Sequence, residues 1–242
     1  MAAAQPAPSG PRAPDHGARV AAMFGRIARR YDLMNTLMTG GQDALWRRHA
    51  VRAARPPRDG RALDVGTGTA RLALALAQAM PGGQVVGVDV AEPMLRQALP
   101  RTRRGGGRVS LALADALALP FPDDAFECAT TAFMIRNVSD VGAAFAELRR
   151  VVRPGGRVVC LELTQPRMPL WGPLFGLYFG RVVPLAGRLV AGDAAAYSYL
   201  PESVAAFLRP EGVAAEMARA GLVGIRWRRL GLGTVTLHVG TA

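Results

Sequence analysis

The chain reads as an α/β protein built on a doubly wound, mostly parallel seven-stranded sheet, with helices ahead of the first strand and a helical lid inserted after the fifth. Three observations predict this. Short apolar runs alternate with segments of helical period between residues 61 and 163. The first run stops at Gly66-Thr67-Gly68-Thr69 and passes directly into a helical pattern. After Glu162 the rhythm breaks, and two strand-like runs then close the chain.

Taken in order, residues 1–17 are rich in Pro and Ala and lack the apolar stretch of a signal peptide, so they are predicted as a disordered tail. One domain, 18–242, follows. Val20, Met23, Phe24 and Ile27 recur at helical spacing over 18–30. The next segment, 31–48, passes through a loop at Thr39-Gly40-Gly41 into a second helix with Leu45 and Trp46, so 18–55 forms a helical cap expected over a cofactor crevice. Strands are predicted at 61–66, 84–89, 108–113, 126–132 and 157–163, with helices at 69–80, 92–99 and 139–152 between them. The last of these helices meets a proline/glycine stop at Arg153-Pro154-Gly155-Gly156. Residues 166–210 form the lid, its apolar part spanning 166–191, and helices over 197–222 separate at Arg209-Pro210. Strands 222–229 and 234–239 make a closing hairpin.

The turn after the first strand is a site as well as a fold element. Gly66 and Gly68 allow a tight bend and close approach of backbone to a ligand, and the opening helix offers unpaired N–H groups. Asp89, at the tip of the second strand, could accept from ribose hydroxyls. The turn alone does not name the ligand: Ala70 could serve as the third small position of a dinucleotide fold. Asp64 argues against a pyrophosphate, because a carboxylate inside the first strand would crowd it. Such a carboxylate suits a turn that faces a cationic amino-acid end.

Composition narrows the class. All 30 basic residues are arginine, and the net charge is +12. Apart from RTRR at 101–104 the charge is scattered, which favours solvated faces and attraction to an anionic membrane surface over nucleic-acid binding. Cys128 and Cys160 fall in predicted strands and read as buried thiols. The apolar run 168–187 is broken by Pro169, Pro173, Arg181 and Pro184, so a spanning helix is not expected. The reading is of a cytoplasmic protein that visits the inner face of the membrane. His16, His49 and His238 lack metal-ligand spacing, and no metal is expected.

Longer motifs carry a family resemblance over residues 20–240. RYDLMNTLMTGGQDALWRR, ALDVGTGTARLA, VDVAEPML, ADALALPFPDDAFE, FMIRNVSDVGAAFAELRRVVRPGGRVVCLELTQP, DAAAYSYLPESVAAFLRPEG and LGLGTVTLHVG resemble the signatures of the ubiquinone/menaquinone biosynthesis C-methyltransferases. IRNVSD and YSYLPES are the specific ones, since methyltransferases in general lack them. The resemblance implies a Rossmann-like class I methyltransferase fold with S-adenosylmethionine (SAM) as methyl donor. It places Thr69, Asp89, Asp115 and Ala116 at the cofactor, beside Asp64, Gly66 and Gly68 of the turn. Ala132 stands where the family has a serine contact, and Val239 replaces a usual basic residue.

The implied reaction is methylation of a polyprenylated quinol at a ring carbon, demethylmenaquinol to menaquinol foremost, with a benzoquinol or another hydrophobic small molecule as alternatives. The attacking carbon gains nucleophilicity when a ring hydroxyl loses its proton. Arg136 is too weak an acid to serve as a free base, so a water held by Arg136, with the cation stabilising the phenolate, is the expected chemistry. Asn137 would orient that water or the substrate. Tyr31, with Asp32 beside it, would close over the substrate. A nucleic-acid methyltransferase is disfavoured by the absence of an Asp/Asn-Pro-Pro-Tyr/Phe motif. A SAM-binding peripheral membrane protein without catalysis is the remaining alternative.

Overall fold

The computed structural model describes residues 16–166, 169, 171–186 and 193–242. The chain enters through helix α1 (His16–Thr39) and turns at Gly40 and Gly41, both at positive φ, into α2 (Gln42–Ala54). Then come β1 (Arg61–Val65), α3 (Arg71–Ala79), β2 (Gln84–Asp89), α4 (Glu92–Arg104), β3 (Val109–Leu113) and β4 (Phe126–Ala132). A 3-10 turn, Ile135–Asn137, leads to α5 (Val141–Val151) and β5 (Val152–Leu163). The lid contains α6 (Trp171–Leu177), a π turn (Tyr178–Val182), α7 (Val183–Ala186) and α8 (Ala194–Ala206). Helix α9 (Pro210–Arg219) and strands β6 (Val223–Leu230) and β7 (Val235–Thr241) complete the chain.

The seven strands lie in the order β3-β2-β1-β4-β5-β7-β6. The first five are parallel, and β7 runs antiparallel between β5 and β6. The chain winds outward from β1 to β3, then returns to β4 on the other side. The switch point therefore lies between β1 and β4, where doubly wound sheets bind ligands at their carboxyl ends. Alternate residues face opposite layers. Leu63, Ala129, Val158 and Cys160 pack against Phe145 and Leu148 of α5 and Met217 of α9. Ala62, Cys128, Val159 and Leu161 pack against Trp46 and Ala50 of α2 and Ala73 and Leu76 of α3. Both cysteines are buried and free, and burial pushes the Cys128 thiol up to about 12.

Several expectations change. The first helix begins at His16, inside the predicted tail, and runs unbroken past Tyr31 to Thr39; residues 1–15 lie outside the described residues. Only α1 covers the crevice, because α2 buries Trp46, Ala50, Val51 and Ala54 against the sheet. Helix α4 continues beyond Leu99 through Pro100, its last turn held by burial of Thr102 and by the Arg101–Asp32 ion pair. The Arg153–Gly156 stop is a bulge inside β5: Phe126 pairs with Val152, and pairing resumes at Cys128 with Arg157. Gly156 lies so close to the Glu127 carbonyl that a Cβ there would stand 2.6 Å from its oxygen. Of the lid, residues 167, 168, 170 and 187–192 lie outside the described residues. No described helix is long and apolar enough to cross a membrane.

Candidate active site

The turn after β1 is built as its glycines require. Gly66 and Thr67 both donate their backbone N–H to Val88 O, at 2.9 Å each. Gly66 has φ +70°, and a Cβ there would lie 2.3 Å from Met134 Cγ. Gly68 (φ +54°) faces open space and donates its N–H to Asp89 Oδ2 at 2.8 Å. Asp89 Oδ1 accepts from Ala91 N at 2.9 Å, so the carboxylate is fixed at the tip of β2; burial raises its pKa. Asp64 lies beneath the turn, 1% exposed, and accepts from Thr67 Oγ1 (2.8 Å) and Thr130 Oγ1 (2.7 Å). Burial pushes its carboxyl up to about 6, against the pull of those two hydroxyls.

A narrow crevice runs along this edge of the sheet. Gly66, Asp89, Asp115, Ala116, Met134 and Asn137 line it, and Gly17 and Val20 of α1 cover it. Asp115 Oδ1 accepts from Leu117 N at 3.0 Å and so shapes the loop after β3. The open face of Gly68 beside the crevice, a fixed acid at Asp89 and an exposed acid at Asp115 fit an adenosyl ligand: ribose at Asp89, adenine at Asp115. Four expected contacts sit outside the lining. Gly68 is one, its N–H given to Asp89 Oδ2. Asp64 is below the turn, and Ala132 packs with the Trp46 layer. Thr69 is buried and donates to Asp32 Oδ1 at 2.8 Å. Asp32 also pairs with Arg101, so Thr69, Asp32 and Arg101 fasten α1 over the turn and α4.

Beside the crevice lies a larger, mostly apolar cavity of about 400 Å³ between α1, the end of the sheet and the lid. Tyr31, Trp46, Phe133, Arg136, Trp171, Phe179 and Tyr197 are among its walls, and the exposed Leu37 and Leu232 also border it. Two bonds among the described residues tie the lid to α1. Tyr178 Oη donates to Met38 O at 3.1 Å, and Asp193, which caps α8 through Ala196 N, pairs with Arg26 at 2.8 Å. Two buried polar atoms in the wall, Tyr197 Oη and Trp171 Nε1, have no hydrogen-bond partner among the described residues. Burial pushes the Tyr197 hydroxyl pKa upward, so it remains a neutral donor.

The cavity and the crevice meet at consecutive residues: Arg136 lines the cavity and Asn137 lines the crevice. Phe133 makes this possible. Its positive φ (+60°) turns the chain at the end of β4 so that its carbonyl accepts from Arg136 Nη1 (2.6 Å) and Asn137 Nδ2 (3.3 Å). Its ring lies under the Arg47 guanidinium, 5.6 Å away, and edge-on to Trp46. Arg136 is buried and pairs with the buried Glu162 at 2.7 Å; Glu162 also accepts from Arg136 N and Leu163 N. The expected cation is therefore already matched by a carboxylate. Asn137 Oδ1 accepts from Tyr199 Oη of the lid at 3.1 Å. Another buried carboxylate, Asp43, pairs with Arg47 and with Arg71 (2.7 Å) and joins α2 to the start of α3.

Tyr31 and Arg136 thus line the same cavity, and Asn137, next to Arg136, lines the crevice. Sequence reasoning missed Tyr197, Tyr199, Trp171 and Glu162. The first two lie inside the YSYLPES motif, which was the available signal. For Glu162, the only signal was an acid in an otherwise apolar strand.

Comparison with known proteins gives the family and the fold. The model of the ubiE/COQ5 methyltransferase family matches residues 14–242. A demethylmenaquinone methyltransferase from Roseiflexus castenholzii is 47% identical over 94% of this chain and 95% of its own length. One from Thermus thermophilus is 48% identical over 90% and 99%. A ubiquinone/menaquinone biosynthesis C-methyltransferase UbiE from Desulfotalea psychrophila is 41% identical over 93% and 90%. Among solved structures, a SAM-dependent methyltransferase from Thermotoga maritima shares the fold with a TM-score of 0.64 at 20% identity, covering 91% of this chain and 98% of that one. The chain belongs to the ubiE/COQ5 methyltransferase family and is a SAM-dependent methyltransferase.

Proposed function

We propose that the protein transfers a methyl group from SAM to a ring carbon of a polyprenylated quinol, demethylmenaquinol, to give menaquinol. The observation that carries this reading is the junction at residues 136 and 137, where a crevice suited to an adenosyl group adjoins a mostly apolar cavity. The relatives named demethylmenaquinone methyltransferase support the naphthoquinol head group.

SAM supplies an electrophilic sulfonium methyl, and Gly66, Gly68, Asp89, Asp115 and Ala116 would hold it in the crevice. The rest of the work falls to orientation and water exclusion. The apolar wall of the cavity, with Tyr31, Phe133 and Phe179, fits a fused aromatic ring. Tyr197 Oη and Trp171 Nε1 are donors without hydrogen-bond partners among the described residues and would take the ring oxygens. Arg136, fixed by Glu162, would hold a water beside the ring hydroxyl that loses its proton and would stabilise the resulting oxyanion. Asn137, fixed by Tyr199, would orient that water or the substrate where the cavity adjoins the crevice. Leu37 and Leu232 at the cavity wall offer apolar surface for the prenyl tail, which calls for contact with the membrane that holds it.

The test is incubation of the purified protein with labelled SAM and, side by side, demethylmenaquinol and a demethylated polyprenyl benzoquinol. Label is expected in menaquinol. Label only in the benzoquinol would move the substrate to the alternative pathway, and SAM binding without label in either quinol would sink the proposal.

A further inference from the structure

One turn of α2 beyond Trp46, on the flank of the sheet away from the crevice, the surface carries a second feature. A hollow of about 720 Å³ lies between α2 and the edge strand β6. His49, Arg52 and Arg55 come from α2 and the residue that ends it; Arg157 comes from β5, and Arg226 and Arg228 from β6. Trp227, Leu237 and Val239 supply apolar lining.

This concentration of charge is unmatched. None of these five arginines has an ion-pair partner among the described residues, whereas Arg47, Arg71, Arg101, Arg136 and Arg150 each hold a carboxylate. Arg157 Nη1 donates to Ala53 O at 2.9 Å, and Arg228 Nη2 lies 3.1 Å from His49 Nδ1. A guanidinium can only donate, so His49 accepts at Nδ1 and is neutral. The groups also disfavour one another's charge. Burial, then Arg228 and Arg52, lower the His49 pKa; burial, then Arg55 and Arg226, lower that of Arg157. A second copy of this chain is a poor occupant, because at +12 it would add like charge.

We propose that the hollow between α2 and β6 is a binding site for a phosphate-bearing anion of diphosphate charge, held by Arg52, Arg55, Arg157, Arg226 and Arg228. Guanidinium forks match phosphate oxygens in pairs, and several in one hollow suit more than one phosphate charge. A soluble phosphate ester and an anionic lipid headgroup share this chemistry. The site is independent of the methyl-transfer reading, since none of its residues lines the crevice or the cavity.

The experiment compares the full chain with the double variant Arg226→Gln/Arg228→Gln, both changes being at exposed positions of the edge strand. Inorganic pyrophosphate is titrated by calorimetry, and phosphatidylglycerol/phosphatidylcholine vesicles are tested by flotation. Saturable pyrophosphate binding is expected, weakening with salt and at least about tenfold weaker in the variant. An upward move of the His49 titration, followed by NMR as pyrophosphate is added, would place the anion in this hollow. Vesicle binding that needs phosphatidylglycerol, yields to pyrophosphate and is lost in the variant would identify a lipid headgroup as the source. Methyl transfer to quinol in detergent is expected to be unchanged in the variant. The proposal is overturned if the wild type binds neither pyrophosphate nor phosphatidylglycerol vesicles, or if the variant binds them equally well. Single-stranded RNA held at this face without competition from pyrophosphate would also overturn it.

Discussion

Tyr199 of the lid donates its hydroxyl to Asn137 Oδ1 at 3.1 Å, and through this bond the helical insertion is coupled to the wall of the cofactor crevice. The bond also settles the orientation of the amide, because Asn137 Nδ2 donates to Phe133 O. Tyr199→Phe leaves the ring in place and removes the anchor. One neutral hydrogen bond is worth about 0.5–1.5 kcal/mol, so kcat is expected to fall about threefold to tenfold with SAM affinity retained. Steady-state kinetics and calorimetry together check this. An unchanged kcat would mean that the bond only closes the lid.

Tyr197 should behave differently. Its hydroxyl is buried without a partner among the described residues, so Tyr197→Phe removes an unsatisfied group from the folded state. Stability is expected to hold or to rise by about 1 kcal/mol, while kcat/KM for the quinol falls about tenfold. Urea denaturation and kinetics on the same preparation separate the two effects. A variant that loses stability and activity together would assign Tyr197 to the lid core.

The Arg136–Glu162 pair is buried on both sides, so removing one partner strands the other. Glu162→Gln is expected to cost about 3–5 kcal/mol, and the apolar double replacement Arg136→Met/Glu162→Leu should recover most of it. The double variant is expected to fold and bind SAM but not to turn over. A loss below about 1 kcal/mol in Glu162→Gln, read from the urea midpoint, would contradict the pairing.

Gly66 answers to two constraints, a positive φ and the Met134 side chain against its bare face. Gly66→Ala is expected to lower stability by about 2 kcal/mol and to weaken SAM binding at least about tenfold. Adding Met134→Ala should relieve the collision but not the backbone cost, so the pair should recover only in part. Full recovery of SAM affinity in the pair would show that φ is unimportant there.

Two buried groups make opposite contributions to the pH dependence of stability. His238 donates Nε2–H to Pro210 O and stacks on Trp227, and burial lowers its pKa to about 4. Between pH 4 and its usual 6.5 the unfolded chain binds more protons, so this contribution is present above pH 6.5 and is lost as pH falls through 4. Asp64 is the reverse. With its carboxyl raised to about 6, the folded chain binds more protons between pH 3.8 and 6, and stability falls as pH rises through that window. Each contribution is on the order of 3 kcal/mol, and they largely cancel between pH 4 and 6. His238→Phe should therefore expose a fall in stability with rising pH, and Asp64→Asn a rise. Urea midpoints measured across the window check both signs; flat profiles in both variants would refute them.

The strand limits at 84–89 and 126–132 were readable to the residue, because buried parallel strands leave short apolar runs bounded by glycine or acid. Helix ends were less legible. Pro100 reads as a stop, yet α4 passes through it, since burial of Thr102 and the Arg101–Asp32 pair are contacts made far away in the chain. In the site, Gly66, Asp89, Asp115, Ala116 and Asn137 were visible as motif positions and do share one crevice. Thr69 and Asp64 were visible too, but their partners, Asp32 and the threonines, show them organising the turn.

What this sequence determined by itself is local: the period of each element, the glycines that a tight turn demands, and the acid at each strand tip. The tertiary structure alone decided which side chains stand next to which. It paired Arg136 with Glu162 and Asn137 with Tyr199, left Tyr197 Oη and Trp171 Nε1 without hydrogen-bond partners among the described residues, and gathered five arginines from three elements into one hollow. The reason is physical. Periodicity records only whether a residue is buried, whereas the energy of a buried polar group depends on the partner that the fold brings to it from a distant part of the chain.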